Sequence, residues 1–540
     1  MHACAHVIEN GGDDRSSKQL SNGGGDRSCD RARAWPCRTG WIKKVNGGVS
    51  KLTADILRDI FVDGKADEGW QLQLQAGRPP VTLRIQLRGI IGDEEAVNSI
   101  WYTKGASGIS PCAMLCSVTN KGPASDRERN IASMTDRDSA IPDLSCSSLE
   151  ACGLRSDSDI WGFVDMLEAC PRGELAEQEH VSGIKLNSNT LLFCRELRPH
   201  LSPSQITMYD PMHIIFSCGI LGSEIMLCMR SMKDSVGAYF ADVRAFLAEH
   251  GFLPTKSNEL FSETREKSAV DTLKGGASEL LASYPLLRAF LIEVYGVNAS
   301  EVYIKSIMLL FKICDIVRNL LKYPSALEVE MYASELRMLI PFYLQAFTLA
   351  YGKDALRFKH HQLLHLPDFL RRHGMMVACW VLERKHIQAK YSLQHRKGLV
   401  KIEKTGLSRM LCSQIRLLQD PGWLTTLAPP LSDFPELKMV LGASRVQVSA
   451  AMRWHGTWLK TQMVTFLDMR FTYLVVVIGC LSFDQSHGLL VKYCTSLTSG
   501  DVGGTWQVDD EVKLYRLTNE PVVKPAAWRW VNPNCLEVLH

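Results

Sequence analysis

Two neighbouring runs, "EVYIKSIMLLFKICDIVRNLL" (Glu301 to Leu321) and "ALEVEMYASELRMLIPFYLQAFTLAY" (Ala326 to Tyr351), carry apolar residues at helical intervals. Each stripe has to be buried against another element, so the middle of the chain is expected to be packed helices. "HQLLHLPDFLRRHG" and "MMVACWVLERKHIQAKYSLQH" continue that helical territory. Beyond about Gln447 the texture changes to short β-like runs, "FTYLVVVIGCLSF", "HGLLVKYCTSL" and "TWQVDDEVKLYRL", separated by Gly and Asp. They predict a small β-rich domain over 447–540.

Upstream, residues 1–50 are rich in Gly, Ser, Asp and Arg without periodicity, which predicts a disordered tail. "TADILRDIFVDG" (Thr53 to Gly64) has helical spacing. "VTLRIQLRGIIGD" (Val81 to Asp93) alternates and then becomes continuously apolar, as a strand entering a core and ending at Gly92 and Asp93 would. "DEEAVNSIWY" predicts the helix that follows, and the polar stretch from Lys121 to about Ser158 reads as a linker or surface loop.

The charge balance is too even to name a partner. A formal charge of +3 neither identifies a nucleic-acid binder nor opposes one, and no dense basic patch is visible. The 17 cysteines are odd in number and scattered, and the first residues show neither the basic nor the apolar part of a signal peptide. Together these predict a reducing, intracellular compartment. The most apolar run, Tyr473 to Phe483, falls short of the ~20 residues a spanning helix needs, and its β-branched content predicts a buried strand. The expectation is a protein with no membrane span.

Several groups have residue types that carry chemistry. In "MYDPMHIIFSCGILGSEI" (Met208 to Ile225), Asp210 is a good helix N-cap and Pro211 suits the first helical position. His213, three residues on, lies on the same side as Asp210; it is either a partner of that acid at a charged site or an ordinary first-turn residue. Cys112 and Cys116 suit a zinc site that needs two further ligands, for which Cys146, Cys152 and His180 are the nearest candidates; the alternative is two free thiols. His361 and His365 have the spacing of zinc enzymes, close to His360 and Asp368, but no Glu follows His361, and the Leu-rich context favours core histidines. "KGASG" (Lys104 to Gly108) lacks the pattern of a nucleotide loop and reads as a turn. Trp454, Trp458, Trp506, Trp528 and Trp530 read as core aromatics of the β-domain.

Four segments, in order, resemble the CACTA/En-Spm-like transposases and their transposon-derived relatives in protists. They are "IIGDEEAVNSIWYTKGASGISPCAMLC" (Ile90 to Cys116), "YDPMH", "HHQLLHLPDFLRRHG" and "WVLERKHIQAK". The resemblance covers roughly residues 53–415. It implies an α/β fold: an RNase H-like core with a mixed sheet over 51–440, interrupted by a long α-helical insertion at about 215–375.

The chemistry so implied is metal-dependent DNA strand cleavage and transfer, with DNA as partner, a homo-oligomer left open, and the nucleus as location. Three carboxylates would hold two Mg²⁺ or Mn²⁺ ions about 4 Å apart. By the resemblance Asp93 is the second catalytic acid and metal ligand, Glu383 the third, and Asp210 with His213 the supporting Asp-x-x-His motif. The first acid is not identifiable: Asp55, Asp59, Asp63 and Asp67 precede Asp93 without a convincing strand around any. Cys112 and Cys116 are spaced Cys-x₃-Cys where the family has Cys-x₂-Cys. The alternative is a degenerate, non-catalytic remnant that binds DNA or protein.

Overall fold

The computed structural model describes residues 47–72, 81–119 and 144–380 (apart from 238, 250–259, 269–270, 297–299 and 322–323), Cys412 and most of the C-terminal strands. The tail expected over 1–46, most of the polar loop over 120–143 and the segment carrying Glu383 lie outside the described residues. The fold is mixed α/β, and the chain divides into two compact units, Met1–Leu221 with Lys312–Met410 and Gly222–Phe311 with Leu411–His540.

The first unit opens with the Gly48–Leu57 helix and its π-helical continuation Arg58–Val62. None of Asp55, Asp59, Asp63 and Asp67 lies on a strand; Asp55 binds Lys51 at 2.7 Å and Asp67 binds His200 at 3.0 Å. The long strand expected from Val81 is two short ones, Val81–Leu83 and Ile90–Gly92. Only the second is buried, because the Arg84 to Arg88 stretch alternates charge into water. Ile90–Gly92 pairs in parallel with Thr207–Tyr209, and all six residues are buried. Among the described residues this part of the unit holds that two-stranded parallel pair and the antiparallel pair Trp70–Leu72 with Val81–Leu83.

The 26-residue helix Ala326–Tyr351 starts at a capping box, Ser325 with Glu328. Its inner face buries Val329, Ala333, Leu336, Ile340, Tyr343 and Phe347. Arg371 grips Glu330 through two nitrogens, and Arg337 pairs with Asp368, tying this helix to Leu366–His373. Pro367 presets the first turn of that shorter helix, and Gly374 at φ +66° ends it.

The second unit combines helices such as Ala277–Tyr295 with antiparallel sheets. The apolar run read as a buried strand is Leu474–Phe483; it pairs with Ser486–Ser499, Val446–Ser449 and Val464–Phe466. Val475, Val477, Cys480, Leu489 and Val491 form its core. Among the described residues one stretch, Met212–Val236, is long and apolar enough to cross a membrane, but 78% of its apolar window is buried inside the protein, as in a core helix.

Candidate metal centre and strand-end acids

The parallel pair sets two acids side by side. Asp93 and Asp210 each follow the last residue of a strand, and the Asp210 N–H donates to the Gly92 carbonyl at 3.1 Å. Asp93 caps the Glu94–Trp101 helix, its Oδ1 accepting from the Ala96 N–H at 2.6 Å. Asp210 is 1% exposed, and both its oxygens are engaged. Oδ1 accepts from the N–H groups of Met212 (3.2 Å) and Cys379 (3.0 Å), while Oδ2 binds His213 Nδ1.

Burial opposes a charge on His213, but the hydrogen bond and charge of Asp210, with Asp93 behind them, raise its pKa above the ordinary value. Lys359 Nζ donates to the carbonyls of His213 and Cys218, each at 3.0 Å. Burial pulls the Lys359 pKa down, against the attraction of Cys218, Glu94 and Asp93. Burial raises Glu94, against the pull of Lys359. Asp210, His213 and Cys379 bring three donor atoms within 4.8 Å of one another. The engaged oxygens make Asp210 an organiser of this turn, with His213 as its fixed partner.

A second group is of a different kind. Cys112 and Cys116 lie on one helical turn, the Cys116 N–H donating to the Cys112 carbonyl at 3.1 Å, so both sulfurs leave the same side. His361 comes from the Phe358–Gln362 helix and His365 from the turn that follows. The four donor atoms all lie within 4.8 Å of one another, and all four residues are buried. Cys112 Sγ is 3.4 Å from His365 Nε2, and Cys116 Sγ is 3.2 Å from His361 Nε2. The two Nε2 atoms are 3.2 Å apart, and Cys116 Sγ is 4.0 Å from His365 Nε2.

Those are four of the six edges, and they lie within about 0.5 Å of those of a tetrahedral zinc site. Zinc bonds of ~2.3 Å to sulfur and ~2.0 Å to nitrogen require S–N edges of about 3.5 Å and an N–N edge of about 3.3 Å. One thiol and one imidazole already have the charge state a metal ligand needs. At Cys112 burial is overcome by the hydrogen bond of Cys116 and then by the charge and hydrogen bonds of His365 and His361, so the thiol sits well below its ordinary pKa. Burial and the Cys112 charge push Cys116 well above. Burial lowers His361, keeping the imidazole neutral as ligation requires. Tyr209 Oη, 3.7 Å from Cys112 Sγ, supplies an outer partner, while His361 Nδ1 is buried without one.

Arg155 braces the cysteine turn from behind. Its Nη1 donates to the Ala113 carbonyl at 2.6 Å, its Nη2 to Ser110 Oγ at 3.4 Å, and the guanidinium lies over the Phe163 ring. "KGASG" forms a 3₁₀ turn at Gly105–Ser107. Gly105 has φ +54° and a Cβ there would meet Asn98 Nδ2 at 2.2 Å, so a larger residue would be strained and would displace the Asn98 amide.

The nearest-partner expectation for the cysteines needs correcting. Cys146 and Cys152 are not in the four-residue group; both donate to the Ser148 carbonyl, at 3.3 and 3.1 Å. His180 is not in it either, and its carbonyl accepts from Ile109. The side chains that complete the group come instead from 245 residues downstream of Cys116. His360 separates from its neighbours: it stacks on Tyr343 and accepts from the Arg357 N–H, a core histidine. Asp368 pairs with Arg337. The placement of Glu383 lies outside the described residues. Scanned against models of known protein families and against the curated proteins, the chain gives no match.

Proposed function

We propose that the chain is a transposon-derived protein of the DDE transposase type, with an RNase H-like core, a helical insertion and a structural Zn²⁺ held by Cys112, Cys116, His361 and His365. What supports this is convergence. Three of the four segments that carry the resemblance are remote in sequence, yet they meet in one unit, with Asp93 beside Asp210 and His213, and the cysteine turn against His361 and His365. Segments matched by chance have no physical reason to meet.

The donor set favours one metal and one role for it. Two thiols and two imidazoles suit Zn²⁺, and hard Mg²⁺ would not choose them. Four protein ligands close the coordination sphere, which makes the ion a fastener between distant parts of the chain. The Mg²⁺ or Mn²⁺ of strand cleavage would need carboxylates. Asp93 offers one at a strand end, but Asp210 has both oxygens committed to Met212, Cys379 and His213. That commitment favours a second reading, a remnant that keeps the fold and binds DNA without cutting it.

A nicking assay on supercoiled plasmid separates them. An active enzyme nicks in Mg²⁺ or Mn²⁺ and loses nicking in Asp93→Asn and Glu383→Gln. A remnant binds DNA with the steep salt dependence of phosphate contacts and never nicks. A protein that neither nicks nor binds DNA overturns the proposal.

A further inference from the structure

Outside the metal group, the structure brings a second pair of thiols together. Cys146 and Cys152 are six residues apart, and the 3₁₀ turn Glu150–Cys152 folds the chain back between them. Both sulfurs donate to one oxygen, the Ser148 carbonyl, and the two thiols also hydrogen-bond to each other. Cys146 is half-buried, Cys152 is fully buried, and neither is in a disulfide. A buried cysteine on its own behaves as a small apolar side chain. Two that converge on one carbonyl within a short loop form a dithiol, and only a closer approach of the sulfurs, to ~2.05 Å, separates it from a bond.

The loop has a fixed place in the fold. The Ser117 N–H donates to the carbonyls of Cys152 (3.2 Å) and Gly153 (3.0 Å), and the Arg155 N–H donates to the Leu115 carbonyl at 2.9 Å. Cys116 and Leu154 pair as an antiparallel bridge. The dithiol loop is thereby laid along the Cys112 to Cys116 turn, while its own sulfurs take no part in the metal group. The two sulfurs are not equivalent. Cys146 has access to solvent, so a small oxidant meets it first; Cys152 is shielded from solvent but hydrogen-bonded to Cys146. An accessible thiol with a second thiol poised to resolve it is the arrangement of a redox-sensitive cysteine.

We propose that Cys146 and Cys152 are a modification site for hydroperoxides, which convert the pair to an intrachain disulfide that small thiols reduce again. The Cys146 sulfur gives an electron pair to one peroxide oxygen, the O–O bond breaks, and Cys146 becomes a sulfenic acid as water leaves. The Cys152 sulfur then attacks the Cys146 sulfur. The S–S bond forms, the S–O bond breaks, and the hydroxyl leaves as a second water with the Cys152 proton. Two thiols lose two electrons and two protons, and the peroxide gains them. The site rests neither on the transposase reading nor on zinc.

Trypsin isolates the pair, because the peptide Asp138–Arg155 contains these two cysteines and no other. The full chain is reduced, exposed to a few equivalents of hydrogen peroxide, alkylated, digested and read by mass spectrometry. The peptide should lose two hydrogens and take no alkyl group before Cys170 and Cys194, which are also half-buried, are modified. Dithiothreitol should restore both thiols. In Cys152→Ser, which lacks the resolving thiol, dimedone should label Cys146; in Cys146→Ser it should leave Cys152 unlabelled. The wild-type reading needs no substitution, so it stands whether or not either variant folds. A peptide that still takes two alkyl groups once Cys170 and Cys194 are oxidised overturns the proposal. So does a bond from Cys146 or Cys152 to any other cysteine, or dimedone labelling of Cys152 in place of Cys146.

Discussion

Removing the metal should unfasten the first unit, and the size of the effect follows from the chain length the site spans. Cys116 and His361 are 245 residues apart in sequence. The chain-entropy relation for a cross-link closing a loop of that length gives ~5 kcal/mol at room temperature. A typical domain has ~5–15 kcal/mol in all, so loss of the fastener removes a large fraction of it. For a domain of this size each kcal/mol moves the melting temperature by ~2–4 °C, so the drop should be about 10–20 °C. Scanning calorimetry before and after chelation, with Cys116→Ser measured beside the wild type, reads this directly. Cys116→Ser and the chelated wild type should melt together, and chelator should leave the variant unmoved. If the stripped protein and the variant both melt within a few degrees of the untreated wild type, the four side chains are not a metal fastener.

Three other outcomes follow from the same geometry. Arg155→Met removes the donors that hold the Ala113 carbonyl and Ser110, so it should destabilise by about 2–3 kcal/mol and speed zinc loss to a colorimetric chelator. His213 has a folded pKa raised above 6.5, so its contribution is full below the unfolded value and lost as pH rises through the folded one. The wild type should therefore lose melting temperature as pH rises above the ordinary imidazole value of about 6.5, and His213→Gln should flatten that slope. Ser325→Ala removes a capping box and should lower the urea midpoint by the equivalent of ~1 kcal/mol without changing the slope of the transition.

The elements carried by local rules were legible in the sequence. Helical spacing marked Ala326–Tyr351, β-branched content marked Leu474–Phe483, an acid at a strand end marked Asp93, and capping chemistry ahead of Pro211 marked Asp210. The metal centre was legible only in halves. Cys-x₃-Cys looked like a departure from the shorter family spacing, but three intervening residues make one helical turn and leave both sulfurs on one side. The His361 and His365 spacing was visible too, and their burial among leucines argued for core. The two readings are compatible, because the four-residue group that could hold a metal is itself buried in the core. Nothing local joins two halves separated by 245 residues, so proximity in sequence favoured Cys146, Cys152 and His180.

Zinc K-edge absorption spectroscopy on protein purified without added chelator tests the central claim most directly. One zinc per chain, in a shell of two sulfurs at ~2.3 Å and two nitrogens at ~2.0 Å, is the expected result. His365→Asn should disrupt that shell, replacing a nitrogen by oxygen or losing the ion. No bound zinc, or a shell made mainly of oxygen, would contradict the account.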